Sequence, residues 1–277
     1  MDRTTSTHSL FSSFGLSHIG RIASISSRTV AESRCSVGCE TLDRDLFDPA
    51  AVFPQLGELG VKWARLQTGW FKCEREKGVF DFTWLDAQVD QLLELGIQPW
   101  LSLSYGNPLY TPCPEDTAMA AVGHVPLNSD EAKQAWVRYV RELVRHFGDR
   151  VSHYEIWNEP DIPSFWKGSM TSPEGYAELF DLTAPVVKEV CPERRIIGFA
   201  VTQHTAFTLR GRRWIQRSLQ AMTHGELLDI ISFHSYLYPP DKTYEDDVNA
   251  LHEVVAAYRP EIELWMGESG YPSMPGG

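Results

Sequence analysis

Thr83–Leu103, TWLDAQVDQLLELGIQPWLSL, reads as a helix followed by a buried strand. Trp84, Leu85, Val89, Leu92 and Leu93 recur at helical spacing and form one apolar face. Thr83-Trp84-Leu85-Asp86 has the pattern of a capping box, and Gly96 supplies the stop. Ile97–Leu103 then runs almost continuously apolar, as a strand covered on both faces requires. A helix, a short turn and a two-face-buried strand make one unit of a parallel sheet with helical crossovers.

The same rhythm extends in both directions. Strands are expected at Ser36–Cys39, Val61–Leu66, Val151–Trp157, Ile196–Ala200, Ile230–Phe233 and Glu263–Met266. Between them, Trp136, Val140, Leu143 and Phe147 mark a second helix, and Ser172-Pro173-Glu174 opens a third with proline at its first position. Further helices are expected over Asp48–Leu59, Gly211–Thr223 and Thr243–Tyr258. Alternation of this kind points to an α/β fold, a (β/α)8 barrel of the TIM type. The 277 residues suit one such domain, since these barrels take roughly 250. Seven strands are counted where the fold has eight, so the expectation is a barrel truncated after its seventh strand, with the first and seventh strands as open edges. Residues 1–34 are Ser-, Thr- and Arg-rich and read as a leader or a piece of accessory sheet, with Ile22–Val30 its one strand-like run. Residues 35–277 make up the barrel.

Composition excludes some functions. A net charge of -12 repels phosphate backbones, so nucleic acid is not an expected partner. The start of the chain has no apolar core of a secretory signal, and no run approaches the roughly 20 apolar residues that span a bilayer. A cytoplasmic protein without membrane partners is expected. Cys35, Cys39, Cys73, Cys113 and Cys191 are odd in number and scattered, which fits buried thiols better than a disulfide framework.

In a barrel of this type the chemistry sits where strands run into the following loops. The residues there are Glu40, Arg65, Tyr105 with Asn107, Asn158 with Glu159, Gln203 with His204, His234 with Tyr236, and Glu268. Tyr154-Glu155-Ile156-Trp157-Asn158-Glu159-Pro160 is the strongest local signal: a strand enters Asn-Glu-Pro, and the proline stops it with Glu159 at the barrel mouth. Glu155 has the opposite strand parity from Asn158, so it is either a second-layer residue or points into the barrel. Gly267-Glu268-Ser269-Gly270 ends a later strand with a carboxyl between small residues. Two carboxyls on different strands are what glycoside hydrolysis needs, one protonated to assist the leaving group and one ionised. A metal-dependent barrel hydrolase would want a His-x-His pair on an early strand; the first strand leads to Glu40 and carries no histidine, so no metal and no other cofactor is expected. A non-catalytic carbohydrate-binding barrel is the alternative, and the presence of both glutamates weighs against it.

The chain resembles clan A of the glycoside hydrolases and is most similar to family 39, the β-xylosidase-like proteins. The resemblance rests on Trp63-Ala64-Arg65, on Glu74–Asp86 (EREKGVFDFTWLD), on Gly96-Ile97-Gln98-Pro99-Trp100, on Trp157-Asn158-Glu159-Pro160, on Phe233-His234-Ser235-Tyr236 and on Gly267-Glu268-Ser269, in family order. It implies a retaining hydrolase of β-linked glycosides, with a carbohydrate as its partner. It also implies roles: Glu159 as acid/base, Asn158 as the neighbour that binds the sugar 2-hydroxyl, Glu268 as nucleophile, Arg65 as the cation that keeps it ionised, and His234 and Tyr236 as the polar pair beyond the sixth strand. Trp70, Tyr105 and Asn107 are candidates for shaping the sugar pocket. Glu40 either binds a hydroxyl or pairs with Arg44.

Overall fold

The computed structural model describes residues 23–236 and 243–270. Seven parallel strands form one sheet in chain order: β1 Ser36–Gly38, β2 Trp63–Gln67, β3 Gln98–Leu103, β4 His153–Ile156, β5 Arg195–Val201, β6 Ile230–Ser235 and β7 Glu263–Ser269. Among the described residues β1 and β7 each have one strand neighbour. The helices are α1 Pro49–Leu56, α2 Trp70–Cys73, α3 Thr83–Glu94, α4 Ala118–Ala121, α5 Asp130–Phe147, α6 Pro173–Val190, α7 Gln203–Phe207, α8 Leu209–Ala221 and α9 Tyr244–Tyr258. The sheet curls as a TIM-type barrel does. Side chains from strands that are not neighbours touch across its interior: Trp63 of β2 meets His153 of β4 and Trp265 of β7, with ring centroids 5.1 and 5.5 Å apart, and Trp100 of β3 meets Trp265 at 5.6 Å. This aromatic layer fills the end of the barrel where the strands begin, leaving the polar groups at the other end.

The helix termini follow ordinary capping chemistry, with one shift. Ser129, Ser172 and Thr208 cap α5, α6 and α8 by accepting backbone N–H groups. The expected capping box on Thr83 is not formed. The Asp81 carboxylate accepts from the Thr83 N–H at 2.9 Å, and the helix starts one residue earlier than a Thr83 cap would place it. Gly96 does close α3: it holds φ +78°, and the Ile97 and Gly96 N–H groups return to the Leu92 and Leu93 carbonyls. A Cβ there would stand 2.8 Å from the Arg28 Cα, so small size is needed as well as the left-handed backbone.

Residues 23–34 do not form the strand expected over Ile22–Val30; Ile22 lies outside the described residues. Ile25 makes a single bridge to Leu59, and the chain turns at 27–29. β6 and β7 both run further than their apolar cores suggest, so His234 and Glu268 lie within the strands rather than after them. Their register is irregular. Phe233 pairs with Met266 and His234 with Glu268, leaving Gly267 as an extra residue in β7. The bulge turns Glu268 to the face that Gly267 would otherwise occupy.

Candidate active site

Arg65 organises the polar end of the barrel. It is completely buried on β2, and a buried guanidinium must be matched by acceptors. Its Nε donates to Glu155 Oε2 at 2.7 Å, Nη1 to Glu268 Oε2 at 2.9 Å and Glu40 Oε1 at 3.2 Å, and Nη2 to Asn158 Oδ1 at 2.9 Å. The acceptors come from β4 and the residues after it, from β7 and from the end of β1, so one side chain ties β1, β2, β4 and β7 together. Arg65 offers only donors. Asn158 must therefore turn its oxygen toward it, which leaves the amide nitrogen pointing the other way.

Glu155 and Asn158 both reach the interior although their strand parities are opposite. Trp157 holds φ +70° and Glu159 φ +43°, and these left-handed residues break the alternation at the end of β4. A similar pair, Phe199 at +74° and Ala200 at +45°, ends β5, and the Glu159 N–H donates to the Ala200 carbonyl at 3.0 Å. Non-glycine residues hold this region only where surrounding contacts impose it, and they cluster at functional sites.

Glu159, His234 and Glu268 meet above Arg65. His234 is fully buried, with Nδ1 2.9 Å from Glu159 Oε1 and 3.7 Å from Glu268 Oε2. One ligand atom from each of the three lies within 4.8 Å of the other two. Two carboxylates and an imidazole could also enclose a cation. Here Arg65 already places a fixed positive charge 2.9 Å from Glu268, which opposes a second one. The Tyr236 hydroxyl donates to Glu268 Oε1. Burial acts to push the Glu268 carboxyl up, but His234, Arg65 and the Tyr236 hydroxyl together outweigh it and hold it below the ordinary carboxylate value. Tyr236 is driven upward by burial and by the same hydrogen bond, so it remains a donor. Glu40 goes the other way: burial raises it, Arg65 counteracts, and Glu268 adds repulsion.

The structure thus brings together Arg65, Glu40, Asn158, Glu159, His234, Tyr236 and Glu268. Glu40 pairs with Arg65 and not with Arg44, whose Nη2 donates to Gln67 Oε1 at 2.8 Å. Trp70 and Asn107 do not join the group. Trp70 is fully buried, stacked on Tyr110 and Tyr139, with its indole N–H donated to Glu74. Asn107 is equally buried and pins a loop, donating to the Glu74 carbonyl and accepting from the Leu109 N–H. Both are used in packing: the loop after β2 lays Trp70 against Trp136 and Tyr139 of α5, and Asn107 ties the loop after β3 to the Glu74 carbonyl. Tyr105 is intermediate: it is buried, its hydroxyl accepts from Gln67 Nε2 at 3.0 Å, and its ring lies edge-on to Trp157. Glu155 is the residue that sequence reasoning left unplaced. A carboxyl inside a buried strand, three residues before Asn-Glu, was the signal that an arginine had to meet it.

Comparison with known proteins agrees with this architecture. A model of glycosyl hydrolases family 39 matches residues 62–263, a span that contains Arg65, Asn158, Glu159 and His234 and stops short of Glu268. The β-xylosidase of Caldicellulosiruptor saccharolyticus is 30% identical over 226 residues, which are 74% of this chain and 42% of that one. The β-xylosidase of Geobacillus stearothermophilus is 28% identical over 179 residues, 61% of this chain and 33% of that one. The chain therefore spans less than half the length of either relative. Among solved structures, a family 39 β-xylosidase from Caulobacter crescentus superposes with a TM-score of 0.64 at 23% identity, covering 92% of this chain and 57% of the other; at that identity the likeness speaks for the fold. A family match over residues 62–263, most of the chain and most of its strands, means that the chain belongs to glycosyl hydrolase family 39.

Proposed function

We propose that this protein hydrolyses β-linked glycosides by double displacement, with Glu268 as nucleophile and Glu159 as acid/base. The single observation that supports this most is the placing of both carboxyl groups on one imidazole, with ligand atoms within 4.8 Å. Retaining glycosidases hold their two carboxyl groups about 5–5.5 Å apart, whereas inverting ones need about 6.5–9.5 Å to admit a water. The electrostatics divide the roles in the same sense. Glu268 is kept ionised by Arg65, His234 and Tyr236, as an attacking carboxylate must be.

In the first step Glu268 attacks the anomeric carbon while Glu159 gives its proton to the leaving oxygen. A glycosyl ester of Glu268 forms, and the aglycone departs as an alcohol. In the second step Glu159 takes a proton from water, the hydroxide adds to the same carbon, and Glu268 leaves as a carboxylate. On this reading the amide nitrogen of Asn158, left free by the Arg65 bond to its oxygen, binds the 2-hydroxyl next to the reacting carbon. The relatives named β-xylosidases make aryl β-xylosides the first substrates to test.

Replacement of Glu159 by Ala separates its role from a structural one. Aryl β-glycosides with reactive leaving groups need little protonation and retain most of their rate. Those with poor leaving groups should slow by about 10²–10⁴-fold, the usual worth of general acid catalysis. Equal loss on both classes overturns the assignment.

A further inference from the structure

Glu159 is aimed from a left-handed backbone, and such a residue relaxes unless its flanks are held. On one side its N–H is taken by the Ala200 carbonyl. On the other, two residues along, the Asp161 carboxylate accepts the Thr202 N–H, at 3.2 Å to each oxygen, and the Thr202 hydroxyl as well. Thr202 is the N-cap residue of α7, yet its side chain makes no cap bond. A threonine in that position ordinarily accepts from the first turn of its helix; here the hydroxyl is donated to the neighbouring loop, after β4, that carries Glu159. The next residue faces the opposite way. Gln203 Oε1 accepts the backbone N–H of Tyr236, and Tyr236 is the residue whose hydroxyl bonds Glu268. Two consecutive residues at the end of β5 thus reach the β4 loop on one side and the end of β6 on the other.

We propose that Thr202 and Gln203 are positioning residues that set the two carboxyl groups separately: Thr202 fixes Glu159 through Asp161, and Gln203 fixes Glu268 through Tyr236. The assignment of what is being set rests on the hydrolase reading above; the two braces themselves are features of the β5 end. Neither residue touches the reacting atoms. Glu268 is faced by Arg65 from β2, by Glu159 from the β4 loop, by His234 and Tyr236 from β6 and its extension, and by Glu40 across the guanidinium, so loss of the Tyr236 donor leaves a defined remainder.

The test measures kcat/KM for Thr202→Val and Gln203→Met against pH and against leaving-group acidity on a series of aryl β-glycosides. Thr202→Val should steepen the leaving-group dependence, with about a 10-fold loss on poor leaving groups and little on reactive ones, because misaimed acid catalysis is what suffers. Thr202→Ser, which keeps the hydroxyl, restores the rate, and Asp161→Ala reproduces the defect. Gln203→Met should leave the leaving-group slope alone and move the acidic limb of kcat/KM to higher pH, because Glu268 loses its Tyr236 donor. A uniform loss across leaving groups, with unmoved pH limbs in both variants, means that the pair is merely structural and overturns the proposal. If the parent protein cleaves no aryl β-glycoside, the hydrolase reading fails, and the braces are judged by crystallography. A Gln203→Met structure with the Tyr236–Glu268 bond intact, or a Thr202→Val structure with Glu159 unmoved, then contradicts them.

Discussion

Arg65 Nη1 stands 2.9 Å from Glu268 Oε2, and the guanidinium that makes this bond is completely removed from solvent. The same group compensates Glu155, whose carboxyl is equally buried. The fold and, on the proposed mechanism, the reaction therefore depend on the same side chain. Arg65→Met should destabilise the fold by about 3–5 kcal/mol, the cost of leaving a buried partner charge unpaired. A double variant, Arg65→Met with Glu155→Gln, should recover part of that loss in urea denaturation while activity stays low. Full recovery of activity in the double variant would contradict the role given to Arg65 at Glu268.

The depressed Glu268 carboxyl gives a pH dependence with a defined sign. Its folded value lies below the ordinary 4.5, so its contribution to stability is complete above 4.5 and is lost as pH falls through the folded value. The acidic limb of kcat/KM should accordingly fall below pH 4.5. Tyr236→Phe removes one of the groups that lower it, and the limb should move to higher pH. An unchanged acidic limb in Tyr236→Phe would show that the hydrogen bond does not act on the ionisation that matters.

His153, in the aromatic layer, ties stability to pH independently of the active site. Burial lowers it from 6.5 to about 4, with Arg195 adding to the effect. Because its folded value is below the unfolded one, stability is fully present above 6.5 and declines as pH falls from there toward 4, where the unfolded chain binds the proton and the folded one does not. The difference is worth up to about 3 kcal/mol. His153→Gln should flatten the fall in Tm between pH 6.5 and 4, measured by calorimetry on both proteins.

Most of the barrel was legible because buried parallel strands need nearly continuous apolar runs, and Ile97–Leu103 and Ile196–Ala200 have them. What was less legible has specific causes. Glu155 and Asn158 share the interior only because Trp157 turns left-handed, and nothing in the residue type announces that. Glu268 takes its face of β7 because Gly267 forms a bulge, and a register shift is a relation between two strands. Trp70 and Asn107 follow β2 and β3 as pocket residues would, but loop folding, which residue order does not encode locally, buries both. The helix α3 starts one residue early, with Phe82 at its N-cap position and no side-chain cap there, because the Asp81 carboxylate takes the Thr83 N–H and draws Thr83 into the first turn.

Gly267 itself is a point of high sensitivity. A Cβ there would stand 2.1 Å from Ser232 Oγ on β6. Gly267→Ala should cost about 1–3 kcal/mol through overpacking and should lower kcat more than KM by displacing Glu268. Gly267→Ala combined with Ser232→Gly relieves the contact and should return stability toward the parent value. Failure of that rescue in thermal melts would mean that the bulge backbone, and not the Ser232 contact, sets the requirement.

Trp70 separates core packing from sugar binding. Trp70→Phe removes the indole N–H that satisfies the buried Glu74 carboxylate, a loss of about 1–3 kcal/mol in stability. Its KM for aryl β-glycosides should match the parent at temperatures where both are folded. A raised KM with unchanged stability would place Trp70 at the sugar after all.

Trapping with a 2-fluoro β-glycoside carrying a reactive leaving group, followed by peptide mapping, addresses the central claim directly. The fluorine slows the second displacement more than the leaving-group-assisted first, so the glycosyl ester accumulates on the attacking carboxylate. The label should be found on the β7 peptide at Glu268, with one equivalent bound per protein and activity lost in step. Label on Glu159, on Glu40 or on no residue at all, in a protein that cleaves the parent glycoside, would contradict the account.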